Sequence, residues 1–270
     1  MANRGFTLVE LIIGIVVMAI LATALVRMLL SDSRFVSRQE ALLTARQTAR
    51  AAANVMSVDL RMVSDSGLLA VSADSVYFRS PVAYGMACTI AAGERIVALL
   101  PTDSAMYASA NPAGLARRRG GVYSFVEGIT VANSVSVAAC TADSVRLVPD
   151  GLLVGITPDT AAMSGEIVYL YQNVTYRFMA STDMPGRLGL WRRVGGGAYE
   201  ELAAPFDSTA RFRFLVGPSL TRMDTPPADL TTVNGIELGI VAQSYVPPQG
   251  QSEYQLFDLP IRVVFVNKAN

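Results

Sequence analysis

The sequence predicts an α+β fold, with one long N-terminal α-helix packed on an antiparallel β-sheet head. Three observations predict it. Residues Phe6 to Leu30 hold 20 apolar residues in 25. No proline occurs before Pro81, so nothing interrupts a helix that continues past this apolar run. Beyond Gly67 the chain changes to short β-branched and aromatic runs separated by Gly, Pro, Asn and Asp.

The first element is a membrane-spanning segment. Residues 11–26 give 16 uncharged positions in a row, and extending back to Phe6 gives 21 residues. That length crosses a hydrocarbon core of roughly 30 Å at about 1.5 Å per residue. Without Phe6 to Leu30 the chain is about 48% apolar, an ordinary value for a water-soluble body. Glu10 stands one turn inside the apolar run, where a carboxylate costs roughly 2.5–3.5 kcal/mol on insertion scales. A plain signal anchor leaves that acid without a purpose. So does a cleaved secretory signal, with Arg4 as its basic flank and Ala22-Thr23-Ala24 as a small-x-small cleavage site.

The helical pattern then becomes amphipathic. Phe35, Leu42, Ala49, Ala52, Met56, Leu60 and Val63 recur at helical spacings with Arg34, Arg38, Gln39, Arg46, Gln47, Arg50 and Asp59 among them. Ser64-Asp65-Ser66-Gly67 supplies the stop. A helix from Phe6 to about Val63 would be about 87 Å long. Strands are predicted over 75–80, 95–100, 122–126, 134–139, 144–148, 166–171, 174–179, 188–194, 211–216, 236–242 and 261–266. Alternation in Ile236, Leu238, Ile240 and in Phe212, Phe214, Val216 asks for one buried sheet face. The tetrapeptide Ala-Asp-Ser-Val occurs at 73–76 and 142–145, each time ahead of a predicted strand.

Composition narrows the chemistry. With 22 basic against 22 acidic residues, bulk electrostatic binding of nucleic acid is not expected. The chain has no His, which removes Ser-His-Asp and Cys-His nucleophile activation and His-ligated zinc; two Cys are too few for a four-thiolate site. No phosphate-cradling Gly-rich loop, Gly-x-Ser-x-Gly elbow or paired-carboxylate spacing stands out. Asp224 and Asp229 flank Pro226-Pro227 without the Asp-x-Asp clustering calcium wants, so they read as a polar loop. No enzymatic activity, cofactor or metal is expected. Arg117-Arg118-Arg119, followed by Gly120-Gly121, is the sharpest basic cluster. It reads either as a surface patch for phosphates, acidic polysaccharide or a neighbouring subunit, or as a solvated hairpin loop. Trp191 reads as a core aromatic.

Gly5-Phe6-Thr7-Leu8-Val9-Glu10, between a short basic leader and a long apolar run, resembles the prepilin peptidase site of type IV pilins and type II secretion pseudopilins. The resemblance implies a pilin fold and four segments: a leader over 1–5, a transmembrane segment over 6–30, an amphipathic half-helix over 31–64 and an extracytoplasmic β-rich head over 65–270. Cleavage is expected between Gly5 and Phe6, with methylation of the new Phe6 terminus. Its α-amine and Glu10, four residues on, share a helical face, and opposite charges in low dielectric attract strongly. In this family the carboxylate is thought to meet the amine of a neighbouring subunit during assembly; an intrachain Phe6 to Glu10 pair is the other reading. The implied partners are prepilin peptidase, other pilins or pseudopilins, an inner-membrane assembly platform and the lipid bilayer. The implied location is the inner membrane, single-pass with the head outside the cytoplasm, and then the filament. Arg27, Arg34, Arg38 and Arg46 follow the apolar run while only Arg4 precedes it, which by the positive-inside rule alone would give the opposite orientation.

Thr175-Tyr176-Arg177-Phe178, Gly186 to Arg193 with its Leu-Trp-Arg-Arg ending, Phe212-Arg213-Phe214 and Leu259 to Phe265 look like the C-terminal sheet of PilW-type minor pilins and GspJ-type minor pseudopilins. The expectation is thus a minor pilin or pseudopilin acting in filament assembly or tip priming. The alternative is a membrane-anchored extracytoplasmic binding module or adhesin. The pseudopilin type that starts the tip commonly lacks the Glu that this chain has. In an extracytoplasmic head, Cys88 and Cys140 are expected to form a disulfide, with free buried thiols as the alternative.

Overall fold

The computed structural model describes residues 8–134 and 136–268. Helix α1 runs unbroken from Leu8 to Arg61, 54 residues, about 81 Å at 1.5 Å per residue. A tight turn ends it: the Gly67 amide donates to the Ser64 carbonyl at 2.9 Å. A Cβ on Gly67 would fall 2.8 Å from that same oxygen, so the turn closes only with glycine.

Fourteen strands follow: β1 (Leu68–Val71), β2 (Ser75–Ala91), β3 (Glu94–Leu99), β4 (Gly114–Arg119), β5 (Val122–Glu127), β6 (Thr130–Asn133), β7 (Leu152–Thr157), β8 (Ile167–Ala180), β9 (Leu188–Val194), β10 (Glu200–Phe206), β11 (Arg211–Val216), β12 (Thr221–Met223), β13 (Val233–Gln243) and β14 (Leu256–Val264). Helix α2 (Pro101–Ser109) precedes β4 and α3 (Val137–Ala142) precedes β7. The strands form one antiparallel sheet in the order β12-β11-β13-β10-β9-β8-β2-β3-β7-β6, with β1 on β2, β14 on β13 and the β4–β5 hairpin on β8.

Two strands tie the head together. β2 and β8 pair from Ser75↔Arg177 to Met86↔Ile167, with a register shift between Pro81 and Ala83. On the Val76, Phe78 and Val174, Tyr176, Phe178 side of that shift, both strands join β9, β10, β11, β13 and β14 in a core against α1. The helix contributes Ala45, Ala49, Ala52, Ala53, Met56 and Leu60, and the small alanines let its backbone lie close to the sheet. Beyond the shift, Val82, Ala83, Ala87, Val168 and Leu170 belong to a second core with Val97, Leu99, Leu115, Val154 and Ile156. No residue of α1 enters that distal core. Alternate residues of β3 face opposite ways: Val97 and Leu99 into this core, Ile96 toward Cys88, Ala139, Cys140 and Leu153.

The predicted strands at 188–194 and 211–216 are found at those positions. Those at 166–171 and 174–179 are one strand, because Gln172 and Asn173 continue the ladder opposite Ser80 and Arg79. Three predictions fail: the strands expected over 134–139 and 144–148, and a buried Phe35. Residues 137–142 form α3, and no strand follows at 144–148, so the second Ala-Asp-Ser-Val ends a helix instead of starting a strand. A β-tolerant run of small residues is overruled there by packing over β2 and β3. Phe35, expected on the buried helix face, is 60% exposed. The buried line instead begins at Ala41, where the sheet first reaches the helix.

Candidate membrane stem and assembly site

Every described residue from 8 to 36 is exposed. Leu11, Ile15, Met18, Leu25 and Leu29 are each more than half open to the surroundings. An apolar surface that continues around a whole helix belongs in lipid or against other apolar helices. The polar side chain deepest in this stretch is satisfied within it: the Thr23 hydroxyl donates to the Ala19 carbonyl at 2.8 Å. Glu10 lies exposed in the first turn of α1, at the helix end whose dipole favours a carboxylate. Gly14 follows one turn later on the same face, and an added Cβ there would meet nothing within 4 Å. Gly5 and Phe6, expected to flank the cleavage point, lie outside the described residues, and so does any Phe6 to Glu10 pairing.

Where the stem meets the head, the β13–β14 loop holds it. The Gln249 amide donates to the Ser37 hydroxyl oxygen at 2.9 Å and the Ser33 hydroxyl donates to the Gln249 side-chain carbonyl at 2.6 Å. Gly250, at φ +77°, lies flat against Arg34, where a Cβ would come 3.3 Å from the guanidinium Nε. Arg187 secures the loop in turn, donating to the Ser244 carbonyl at 2.9 Å and stacking 3.7 Å from the Tyr254 ring centroid.

A second fastening lies near the other end of the helix. The Tyr176 hydroxyl donates to Asp59 at 2.6 Å, and Arg192 reaches the same carboxylate oxygen at 3.2 Å. Burial, reinforced by the Asp59 charge, pushes the Tyr176 hydroxyl far above its ordinary value, so it stays a donor. Arg192 belongs to the Leu-Trp-Arg-Arg run and Asp59 to the amphipathic helix. Sequence reading noted each but had no signal that they meet. It also missed Glu237. This residue is 3% exposed and faces Arg213, Arg222 and Arg262 at 3.4, 3.5 and 3.0 Å. Arg213 and Arg262 are its direct cross-strand partners, which gives the arginines of the two C-terminal strands a structural role.

Cys88 and Cys140 are joined in a disulfide that fastens α3 across β2. Arg117, Arg118 and Arg119 end β4 and do not form one patch. Arg117 donates to Ser124 at 3.1 Å, Arg118 lies over the Tyr123 ring and Arg119 pairs with Glu166 at 2.6 Å. Strand alternation sends Arg118 to the opposite face from its neighbours. Asp224 pairs with Arg213 and Arg222, while Asp229 accepts from the Thr231 amide at the start of a short helical turn. Trp191 is 9% exposed in the sheet. Among the described residues, no three His, Cys, Asp or Glu side chains come together so as to hold a metal ion.

The family model for the prokaryotic N-terminal methylation motif matches residues 1–26. Comparison with curated proteins and with solved structures finds no match. The motif and the apolar helix that continues it support a type IV pilin-like family and membrane anchoring of this chain. They imply processing by prepilin peptidase and assembly with other pilins.

Proposed function

We propose, on the premise of that N-terminal motif, that the chain is a minor pilin or pseudopilin, a non-enzymatic subunit of a type IV pilus or type II secretion pseudopilus. The observation that carries the reading is the continuity of the motif with a single helix. One half of that helix is apolar and exposed on all sides, and the other is fastened to a folded head.

In this reading prepilin peptidase cuts after Gly5 and the Phe6 terminus is methylated. The stem holds the subunit in the inner membrane with the head outside the cytoplasm until it moves into the filament. The transfer costs little because lipid is replaced by other apolar stems, so little apolar surface meets water. Glu10 selects the register. A carboxylate in an apolar bundle is costly alone and stabilised by an opposite charge, and the Phe6 amine of the neighbouring subunit supplies that charge. The ties at Ser33–Gln249 and Asp59–Tyr176–Arg192 couple stem to head, so registering one orients the other. The resemblance to PilW-type and GspJ-type minor subunits supports a place near the tip.

Glu10→Ala tests the assembly role. Cleavage should remain largely intact while incorporation into purified filaments falls at least tenfold, a factor that corresponds to about 1.4 kcal/mol. Unchanged incorporation would defeat the pairing argument.

A further inference from the structure

The arginines that follow the apolar run are not arranged as a generic solvated face. Arg27, Ser31, Arg34 and Arg38 follow one another at spacings of four, three and four, which aligns them along one side of α1. Asp32 and Glu40, the acids interspersed among them, fall roughly 130–150° around the helix at about 100° per residue. Charge is thus segregated by side, cations on one and carboxylates on the other. Among the described residues Arg27, Arg34 and Arg38 form no ion pair.

The side chains on this side leave an open space between them. Arg27, Leu30, Ser31, Arg34, Phe35 and Arg38 line a hollow of about 400 Å³. Its outer wall stands next to the loop that places Gly250 against Arg34. With its amide oxygen turned toward the helix, Gln251 accepts from Arg38 at 3.1 Å, which holds that guanidinium in place. The hollow starts at Arg27, in the last turns of the apolar run where hydrocarbon gives way to headgroups, and extends from there toward the head. It offers three guanidinium groups beside two large apolar side chains, Leu30 and Phe35. Guanidinium forks match phosphate oxygens, and the apolar run on the N-terminal side of Arg27 suits the acyl chain below them.

We propose that this face is a docking site for the phosphate of an anionic phospholipid in the leaflet next to the head, holding the head at a fixed height and rotation on the bilayer. The inference rests on the stem crossing a membrane, but not on processing, on filament assembly or on which side the head lies.

The test uses the full chain in nanodiscs of equal phosphatidylglycerol and phosphatidylcholine, transferred to detergent and read by native mass spectrometry for retained lipid. The wild-type chain should retain phosphatidylglycerol over phosphatidylcholine. Arg27→Gln, Arg34→Gln and Arg38→Gln should each lower that enrichment about fivefold, and the triple variant should abolish it. Replacing all three by Lys should keep part of the enrichment, because the charges stay while the bidentate forks are lost, and Asp32→Asn with Glu40→Gln should leave it unchanged. Wild-type enrichment in the triple Gln variant would overturn the proposal. It would equally be overturned if the Gln variants changed only cross-linking between copies of the chain, since the occupant would then be a second subunit. Loss of enrichment in the Lys variant as complete as in the Gln variant would refute a charge-based site.

Discussion

The two halves of α1 are one continuous helix in opposite circumstances. Between residues 8 and 36 every described side chain is exposed, whereas from Ala41 to Leu60 a line of small and apolar side chains is buried in the head. From Leu11 to Val26 the outer half is apolar around its circumference. The inner half is apolar on one side, and on that side largely alanine. A helix that must contact lipid and then like helices needs no preferred face; a helix docked permanently on one sheet needs a flat one. The difference separates what the chain completes by itself from what it leaves for a membrane or a filament to complete.

The distal lobe sharpens this contrast, because it has a core without the helix. Its cover comes from α2 and α3, and the Cys88–Cys140 bond holds α3 down. The two cysteines are 52 residues apart, for which the chain-entropy account gives about 4 kcal/mol. Replacing both by Ser should therefore weaken amide-exchange protection of β3 and β7 by an amount of that order, with protection of Ala41 to Leu60 unchanged. Equal loss in both regions would show that the two cores are one cooperative unit. Next in size, Leu60→Ala should destabilise the head by about 2–5 kcal/mol in urea unfolding. Leu21→Ala in the outer half should change it by less than about 0.5 kcal/mol. A similar cost at both positions would erase the distinction between the halves.

Tyr176→Phe removes the donor to Asp59 but leaves Arg192 in place, and should cost about 1.5–3 kcal/mol. Protection should fall first in the last turns of α1. The smallest effect is on acid stability. Asp207 is held below its ordinary value of 3.8 chiefly by the Thr209 hydroxyl, and Asp74 likewise chiefly by the Ser72 hydroxyl. A depressed carboxylate stabilises the fold above its unfolded value, and that contribution fades as pH falls through the folded one. Urea midpoints of the head should consequently hold level from neutral pH to about pH 4 and decline below it. Asp207→Asn should flatten part of that decline.

The stem was legible because membrane insertion and helical periodicity are local demands, written in consecutive residues. The uninterrupted apolar run, the absence of proline before Pro81 and the Ser64–Gly67 stop define α1 without reference to the rest of the chain. Strands with strict alternation, such as Arg211–Val216, were legible for the same reason. The β4 strand was not, because Arg117-Arg118-Arg119 reads as loop until β5 and β8 pair on its two sides. β10 was missed because its Glu200-Glu201 start and Pro205 obscure a strand that pairs with β9. Within the candidate site, Gly5, Phe6 and Glu10 follow from a contiguous motif. The Asp59–Tyr176–Arg192 and Ser33–Gln249 ties join residues more than a hundred positions apart. No spacing rule connects such residues; only the packing of helix on sheet does.

The central claim is that the outer half of α1 begins at a processed terminus and is built for assembly. Mass spectrometry of the N-terminus of the protein isolated from its native membrane tests it most directly. The account predicts a chain that starts at Phe6 and carries a methyl group on its α-amine. An intact Met1, or a chain starting after Ala24, would contradict it and leave a membrane-anchored or secreted binding module in its place.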